Sequence, residues 1–229
     1  MNRKVSSFAL IVLIVSLLVG STVSAASPET IISQSIAALQ EMAVEPDASA
    51  MVSLLREARG VAIFPSVVKA GIFLGGKYGE GLVLQRDQAT GRWYGPSFVT
   101  MKGVSYGLQF GVQSTALVLV INNDEGMERF RGSQEFTLGG DIGIAAGPLG
   151  RQAGASTDVQ LKSAIYSYSM SKGLFAGFSL EGAIIETDHD ANRTYWGRAV
   201  LPEDILATPA AGSKIQPLID ELERLMAQS

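Results

Sequence analysis

The chain contains no cysteine and a single histidine, His189. Without thiols it cannot form disulfides, thiolate nucleophiles, cysteine–zinc sites or a lipid anchor on an N-terminal cysteine. One histidine also leaves few ways to build a metal site or an acid–base pair, because histidine is the usual residue for both. The composition therefore favours a protein that is not an enzyme and holds no metal or other cofactor.

Charge is scarce as well, at 17% of 229 residues, while hydrophobic residues make up 47%. This balance allows a sizeable core and excludes disorder for most of the chain. The formal net charge is −4, and without Arg3 and Lys4 there remain 16 basic against 22 acidic residues. Proteins that bind nucleic acid normally carry the opposite sign, so no nucleic-acid partner is expected.

The N-terminus has the pattern of a secretory signal peptide over residues 1–25. Arg3 and Lys4 precede an apolar run from Phe8 to Gly20, and the small residues Val23-Ser24-Ala25 form a cleavage site. The apolar run is short for a hydrocarbon core of about 30 Å, which favours cleavage over a retained anchor. We expect an exported protein of the bacterial periplasm or cell envelope that is not a cysteine-anchored lipoprotein.

Helices are predicted at both ends of the mature chain. Ser27-Pro28-Glu29 supplies an N-cap, a first-position proline and a first-turn acid. Apolar residues then recur at helical spacing, which predicts an amphipathic helix over 28–44; they include Ile32, Ile36 and Leu39. A second short helix follows Pro46-Asp47, and a C-terminal helix is predicted at about 214–227.

Glycine-rich strands are predicted in the middle of the chain. Within Lys102 to Gln113, the apolar residues at 104, 106, 108, 110 and 112 alternate with glycine, serine or glutamine at 103, 105, 107, 109 and 111, a period of two that indicates a strand. Glycine at alternate positions is tolerated where another backbone approaches closely or the sheet curves strongly. Further strands are predicted at about 61–64, 71–76, 81–85, 116–121, 158–169, 173–186 and 193–199.

Consecutive strands without intervening helices predict a mainly antiparallel sheet. The fold class is α+β: a strongly curved, glycine-rich β-sheet or barrel, flanked by N-terminal amphipathic helices and a C-terminal helix. Residues 26–229 form a single domain in this prediction.

Two short motifs resemble functional sites. Ser105 lies in a G-x-S-x-G pattern, with Asp158 and His189 downstream in the order used by α/β-hydrolases. The strand alternation places Ser105 within a strand, whereas a hydrolase nucleophile needs a strand-to-helix turn. Asp188, Asp190 and Asn192 are spaced like the first three ligands of a calcium-binding loop. The positions at which such a loop needs a glycine and a glutamate hold other residues. A solvated hairpin turn with an exposed His189 is predicted there.

Asp141 lies among glycines and apolar residues. A charge is costly in such surroundings unless it is hydrogen-bonded. We expect its carboxylate to accept hydrogen bonds from loop amides and to serve a structural role.

An ordered set of short motifs resembles the SYLF domain family over about residues 45–206. The motifs lie at Ala58–Pro65, Gly75–Gly81, Trp93–Phe98, Gly103–Gln109, Leu138–Asp141, Gly147–Arg151, Tyr166–Ser169, Ser171–Gly177 and Asn192–Gly197. They provide the structural motif residues Gly60, Pro65, Gly107, Asp141, Gly147, Pro148, Tyr168, Gly173 and Asn192. The family includes adaptor proteins of fungi and animals as well as many exported bacterial proteins.

The resemblance implies a binding function. In the adaptor proteins of the family, the domain binds acidic phosphoinositides through an amphipathic segment near its N-terminus, and in some members it binds actin. The corresponding contacts here would be Ile32, Ile36 and Leu39. However, no Lys or Arg lies between Val5 and Leu55. Interfacial helices that bind anionic lipid are normally basic on the polar face. Apolar insertion into a membrane and packing against the sheet both remain open.

Two functions of different classes follow. The first is a non-catalytic, exported envelope protein that binds phospholipid or a membrane surface through its terminal helices and an apolar part of the sheet. The alternative is a structural or partner-binding module of the periplasm without a lipid role. No actin is expected in that compartment. A serine hydrolase centred on Ser105 and His189 is a distant third.

Overall fold

The computed structural model describes residues 25–45, 48–147, 163–171, 174–175 and 180–227. The helices in this part of the chain are α1 (Pro28–Ala43), α2 (Ala48–Glu57), α3 (Asp124–Arg131), α4 (His189–Trp196), α5 (Pro202–Leu206) and α6 (Gln216–Ala227). The strands are β1 (Gly60–Arg86), β2 (Trp93–Ile121), β3 (Phe136–Thr137), β4 (Ile144–Ala146), β5 (Ile165–Ser171), β6 (Leu174–Phe175) and β7 (Ile184–Thr187). Residues 1–24 of the predicted signal peptide, Pro148 and Gly173 lie outside the described residues.

A long antiparallel hairpin, β1–β2, forms the centre of the sheet. Its register runs from Gly60 opposite Ile121 to Arg86 opposite Trp93. The three strands predicted between residues 61 and 85 are therefore one strand of 27 residues, and the two predicted within 102–121 belong to one strand of 29 residues. Pro65 does not end β1; it lies at a shift of register between Phe64 and Val67, where a bulge accommodates the missing N–H.

The two ends of β1 lie against each other. The backbone N–H of Arg86 donates to the carbonyl of Arg59 at 2.8 Å. A Cβ placed on Gly81 would lie 2.4 Å from the carbonyl oxygen of Ile63, and one placed on Gly60 would lie 2.7 Å from that of Leu84. Glycine is therefore required where this strand curls back on itself, the close approach that alternating glycines indicate.

The remaining strands extend the sheet from β2. Residues 116–121 of β2 pair with β5, and residues 99–102 pair with β7. β3 pairs with β7 and β6 with β5, both antiparallel, whereas β4 pairs with β5 in parallel. The predicted α+β class with a strongly curled, mainly antiparallel sheet is confirmed, and the sheet is mixed.

Hydrophobic side chains cover both faces of the sheet. The helix-side cluster joins α1, α2 and α6 to one face of the hairpin; its buried residues include Ile31, Leu39, Met42, Met51, Leu55, Val61, Ile63, Leu82, Phe98, Val118, Leu218 and Leu222. The second cluster joins α3, α5, β3 and β7 to the other face; it includes Ala62, Phe64, Val83, Leu117, Leu119, Met127, Phe130, Phe136, Ile185 and Leu206. The alternation along each strand divides its residues between the two clusters.

The chain after β7 differs from the prediction. The turn at 188–192 and the strand at 193–199 are wrong, because this segment forms α4. The carboxylate of Asp188 accepts a hydrogen bond from the N–H of Ala191 and so caps the helix, while Gly197 ends it in the left-handed conformation at φ 69°. The five-residue helix α5, which Pro202 begins, was also not predicted. Of the predicted strand 173–186, residues 174–175 and 184–187 form β6 and β7.

The close approach at Gly81 predicts that Gly81→Ala destabilises the fold. A Cβ there would meet the Ile63 carbonyl and the Phe64 ring, and overpacking of this kind costs about 1–3 kcal/mol. Gly76→Ala in the same strand is the matched control, since its Cβ would meet nothing within 4 Å. Urea unfolding measures both. Equal stability of the two variants would contradict the role given to Gly81.

Candidate functional site

The helix predicted to contact lipid packs on the sheet. Ile32 and Leu39 are 3% and 0% exposed within the helix-side cluster, and Ile36 is half-buried against the same cluster. Contact of these side chains with a membrane would require α1 to leave the sheet. Their role as lipid contacts stays a prediction, and the packing alternative describes the folded domain.

Polar contacts hold α1 at both ends. Lys214 pairs with Glu29 at 2.7 Å, and this hydrogen bond lowers the pKa of Glu29. The amide of Gln40 donates to Glu221 of α6 at 3.4 Å. The buried Glu221 carboxylate accepts two hydrogen bonds from Arg224, which lower its pKa. Removing α1 would therefore expose core residues and take one of its hydrogen-bond donors from the buried Glu221 carboxylate.

The exposed apolar side chains lie instead on the hairpin. Val104 is 56% exposed and Tyr78 40%; the two are diagonal neighbours, because Tyr78 opposes Lys102 and Gly76 opposes Val104. Val112 is 77% exposed and is the diagonal neighbour of Val68 at 39%. Such neighbours in adjacent strands are close enough for their side chains to interact.

These four residues share one surface of the hairpin, here called the hairpin face. Tyr78 and Val104 stand an even number of residues from Leu82 and Phe98, with no shift of register between, so they project to the helix side. Val112 likewise stands on the side of Ala116 and Val118. The hairpin face therefore continues the helix-side surface of the sheet. The other large apolar side chains exposed in the described part of the chain are Val44 and Leu201.

Polar groups border the hairpin face but are not set for acid–base catalysis. Lys102 pairs with Glu186 of β7, whose carboxylate also accepts from Thr100 at 3.1 Å, and the Lys102 hydrogen bond lowers the pKa of Glu186. The Tyr78 hydroxyl donates to Glu80 at 3.1 Å. Burial, together with the Glu80 charge, raises the pKa of Tyr78 to about 12. Glu186 is held charged and Tyr78 neutral near pH 7.

No pattern in the sequence analysis drew attention to Lys77. It is buried on the opposite side of the hairpin, where a Cβ on Gly103 would lie 2.3 Å from its Cε. Burial lowers the pKa of Lys77, and the charge of Lys69 adds to this effect. The glycine opposite Lys77 in the register is the signal that could have indicated a lysine lying flat across the strands.

The described motif residues act through packing and hydrogen bonds. The Asn192 side chain is buried: its oxygen accepts from the N–H of Phe98 at 2.8 Å, and its nitrogen donates to the Phe98 carbonyl at 3.1 Å. Asp141 accepts from the N–H of Thr137 at 2.7 Å. A Cβ on Gly147 would lie 2.2 Å from the ring of the buried Tyr168. The backbone of Gly107 lies in β2 opposite Phe73.

The described residues of the two site-like motifs do not assemble a site, and Asp158 lies outside the described part of the chain. The backbone of Ser105 lies within β2 opposite Gly75, not at a strand-to-helix turn, and His189 is exposed in the first turn of α4. Of the calcium-like triplet, Asp188 caps α4 and Asp190 pairs with Arg193 at 3.0 Å. Among the described residues, no three His, Cys, Asp or Glu side chains are grouped to hold a metal ion.

None of the described helices is both long and apolar enough to cross a bilayer.

Comparison with known proteins matches residues 102–225 to the family described as "Ysc84: Las17-binding protein actin regulator". Protein YSC84 of Saccharomyces cerevisiae is 38% identical over 175 residues, which cover 76% of this chain and 36% of that protein. SH3 domain-containing YSC84-like protein 1 is 33% identical in Bos taurus and 32% in Homo sapiens, covering 76% of this chain and 52% of each relative. The chain thus spans between about a third and a half of the length of these relatives.

The double hydrogen bond of Asn192 predicts a large loss of stability in Asn192→Ala. The buried N–H of Phe98 would lose its acceptor, at about 1–3 kcal/mol, whereas the Phe98 carbonyl would keep the hydrogen bond from the N–H of Asp188 at 2.9 Å. Thr194→Ala, two residues along α4, is the control, because the Thr194 side chain is exposed and bonds only within its own helix. Thermal unfolding by circular dichroism measures both. Similar melting temperatures would show that Asn192 does not hold α4 to β2.

Proposed function

The chain belongs to the Ysc84 family of SYLF domains, and from this membership we propose that it is a non-catalytic binding module exported to the bacterial envelope, where it binds the surface of a phospholipid membrane. The relatives are named as binding and regulatory proteins, which fits a module without catalysis. The observation that carries membrane binding is the hairpin face. Export rests on the signal-peptide pattern of residues 1–25.

The hairpin face has the character of a weak interfacial contact. Single exposed valines are common on protein surfaces, but the two diagonal apolar pairs give this face two apolar contact points, with Val104 and Val112 eight residues apart along β2. Removing their exposed area from water would contribute about 3–4 kcal/mol before the costs of association. Binding is therefore reversible and strengthened where many copies meet one membrane.

Electrostatics favours an apolar mode of binding over attraction to anionic lipid. Without Arg3 and Lys4, acidic residues outnumber basic ones by six. Lys102, which borders the hairpin face, is already paired with Glu186. We therefore expect similar binding to zwitterionic and anionic vesicles, and little loss of binding as salt is raised.

In this proposal α1 positions the binding surface and does not insert into the bilayer. Its apolar face is occupied by the helix-side cluster, and the surface that remains is on the strands. A protein ligand is the alternative occupant of the hairpin face. The names of the relatives refer to Las17 and actin, and neither is expected to meet an exported chain.

Sedimentation with vesicles tests the proposal on a chain that begins at Ala26. The double variant Val104→Thr, Val112→Thr keeps β-branched shape while removing apolar surface, and we expect about tenfold weaker binding to phosphatidylcholine vesicles. Leu201→Thr is the matched control, since Leu201 is 49% exposed but lies just before α5 and outside the hairpin face; it should bind like the unchanged chain.

The outcomes separate membrane from protein binding. Unchanged binding by the double variant would remove the hairpin face from the contact. Binding to anionic vesicles alone, abolished by salt, would replace the apolar mode with an electrostatic one. Failure of the unchanged chain to bind either type of vesicle would overturn membrane binding and favour the binding of a protein ligand instead.

A further inference from the structure

Near the start of the described chain, Ala26 bonds to the sheet. Its backbone nitrogen donates to the Glu80 carboxylate at 2.9 Å. The other oxygen of that carboxylate accepts from the Tyr78 hydroxyl at 3.1 Å. Ala25 is exposed, whereas Ala26 is half-buried and packs against the helix-side cluster. Of these two described alanines, Ala26 is the one that packs on the folded domain.

The same bond is the one that the signal-peptide pattern marks for cleavage. Val23-Ser24-Ala25 places the scissile peptide bond between Ala25 and Ala26. Hydrolysis adds the hydroxyl of water to the Ala25 carbonyl carbon and a proton to the Ala26 nitrogen. At neutral pH the released amine takes up a further proton, so a neutral amide donor becomes an α-ammonium group with three donors.

We propose that leader cleavage converts the contact between Ala26 and Glu80 into an ion pair that locks α1 onto the sheet. This inference rests on the export proposed above. In the precursor, a neutral amide donates to the Glu80 carboxylate; in the mature chain the donor is itself charged, so Coulombic attraction between opposite charges is added to the hydrogen bond. Cleavage thus completes the fold as well as releasing the chain.

The position of Glu80 fits this role. A cation just before a helix is disfavoured by the positive end of the helix dipole, and Ala26 immediately precedes the N-cap Ser27. A carboxylate on the facing strand offsets that repulsion. Glu80 is fixed by its place in β1 and by Tyr78, so little side-chain freedom is lost when the ammonium forms. The lock acts on the helix that contributes Ile32 and Leu39 to the core.

A double-mutant cycle tests the lock. The chain beginning at Ala26 is compared with the same chain acetylated on its α-amine, each with and without Glu80→Gln. We expect the free amine to raise the Tm by about 2–4 °C over the acetylated chain, and this advantage to disappear in Glu80→Gln. Glu29→Gln is the matched control, since Glu29 pairs with Lys214; it should lower both Tm values and leave the advantage intact.

The pH dependence gives a second readout. An α-amino group normally titrates at about 7.7–8.0, and pairing with Glu80 raises that pKa in the folded chain. The advantage of the free amine is therefore complete below about pH 7 and is lost as the pH rises through the raised value. The neighbouring charged groups, Lys102, Glu186 and Asp188, are present with and without acetylation. Tyr78 stays protonated, since its pKa is about 12.

Either of two results would overturn the lock. One is a Tm difference between the free and the acetylated chain that persists in Glu80→Gln, or that is absent from the chain with Glu80. The other is a product from a bacterial host whose mass shows an intact leader or a first residue other than Ala26. An intact leader also refutes export, whereas a different first residue refutes the lock alone. The vesicle experiment bears only on membrane binding.

Discussion

The contact between the two ends of β1 is the constraint on which the rest of the structure depends. The strand can curl back on itself because Gly60 and Gly81 present no Cβ to the carbonyls of Leu84 and Ile63. This curl turns a long hairpin into a sheet with two enclosed faces. α1, α2 and α6 cover one face and α3 and α5 cover part of the other. Backbone sterics thus determine which surfaces remain for the helices, and which remain for a ligand.

The fold gives α1 a different task from the one that its amphipathic pattern first indicates. An apolar helical stripe is equally compatible with a membrane and with a sheet, because both supply an apolar surface. The sheet is part of the same chain, so packing on it carries no cost of association, and Leu39 and Met42 are fully buried there. The apolar surface left for a partner consists of strand residues such as Val104 and Val112, which lie beyond the helices.

Local signals predicted some elements well and others poorly. The Ser27 cap, the Pro28 start and the helical spacing after them gave α1 almost residue for residue. The strand predicted at 193–199 is wrong, because the cap by Asp188 and the anchoring of Asn192 to Phe98 favour a helix there. Pro65 was read as the end of a strand, since a bulge depends on the partner strand and leaves no mark in the local sequence.

The sequence by itself determined the family, the α+β class, the glycine-rich curved sheet and the absence of cysteine chemistry, because composition and short-range periodicity reflect local backbone preferences. Only the tertiary structure decided that the apolar face of α1 is occupied and that Tyr78, Val104, Val68 and Val112 share a surface. It alone placed Ala26 beside Glu80, 54 residues away. Such pairings depend on strand register and on the curl of β1, and both arise from contacts between residues far apart in the chain.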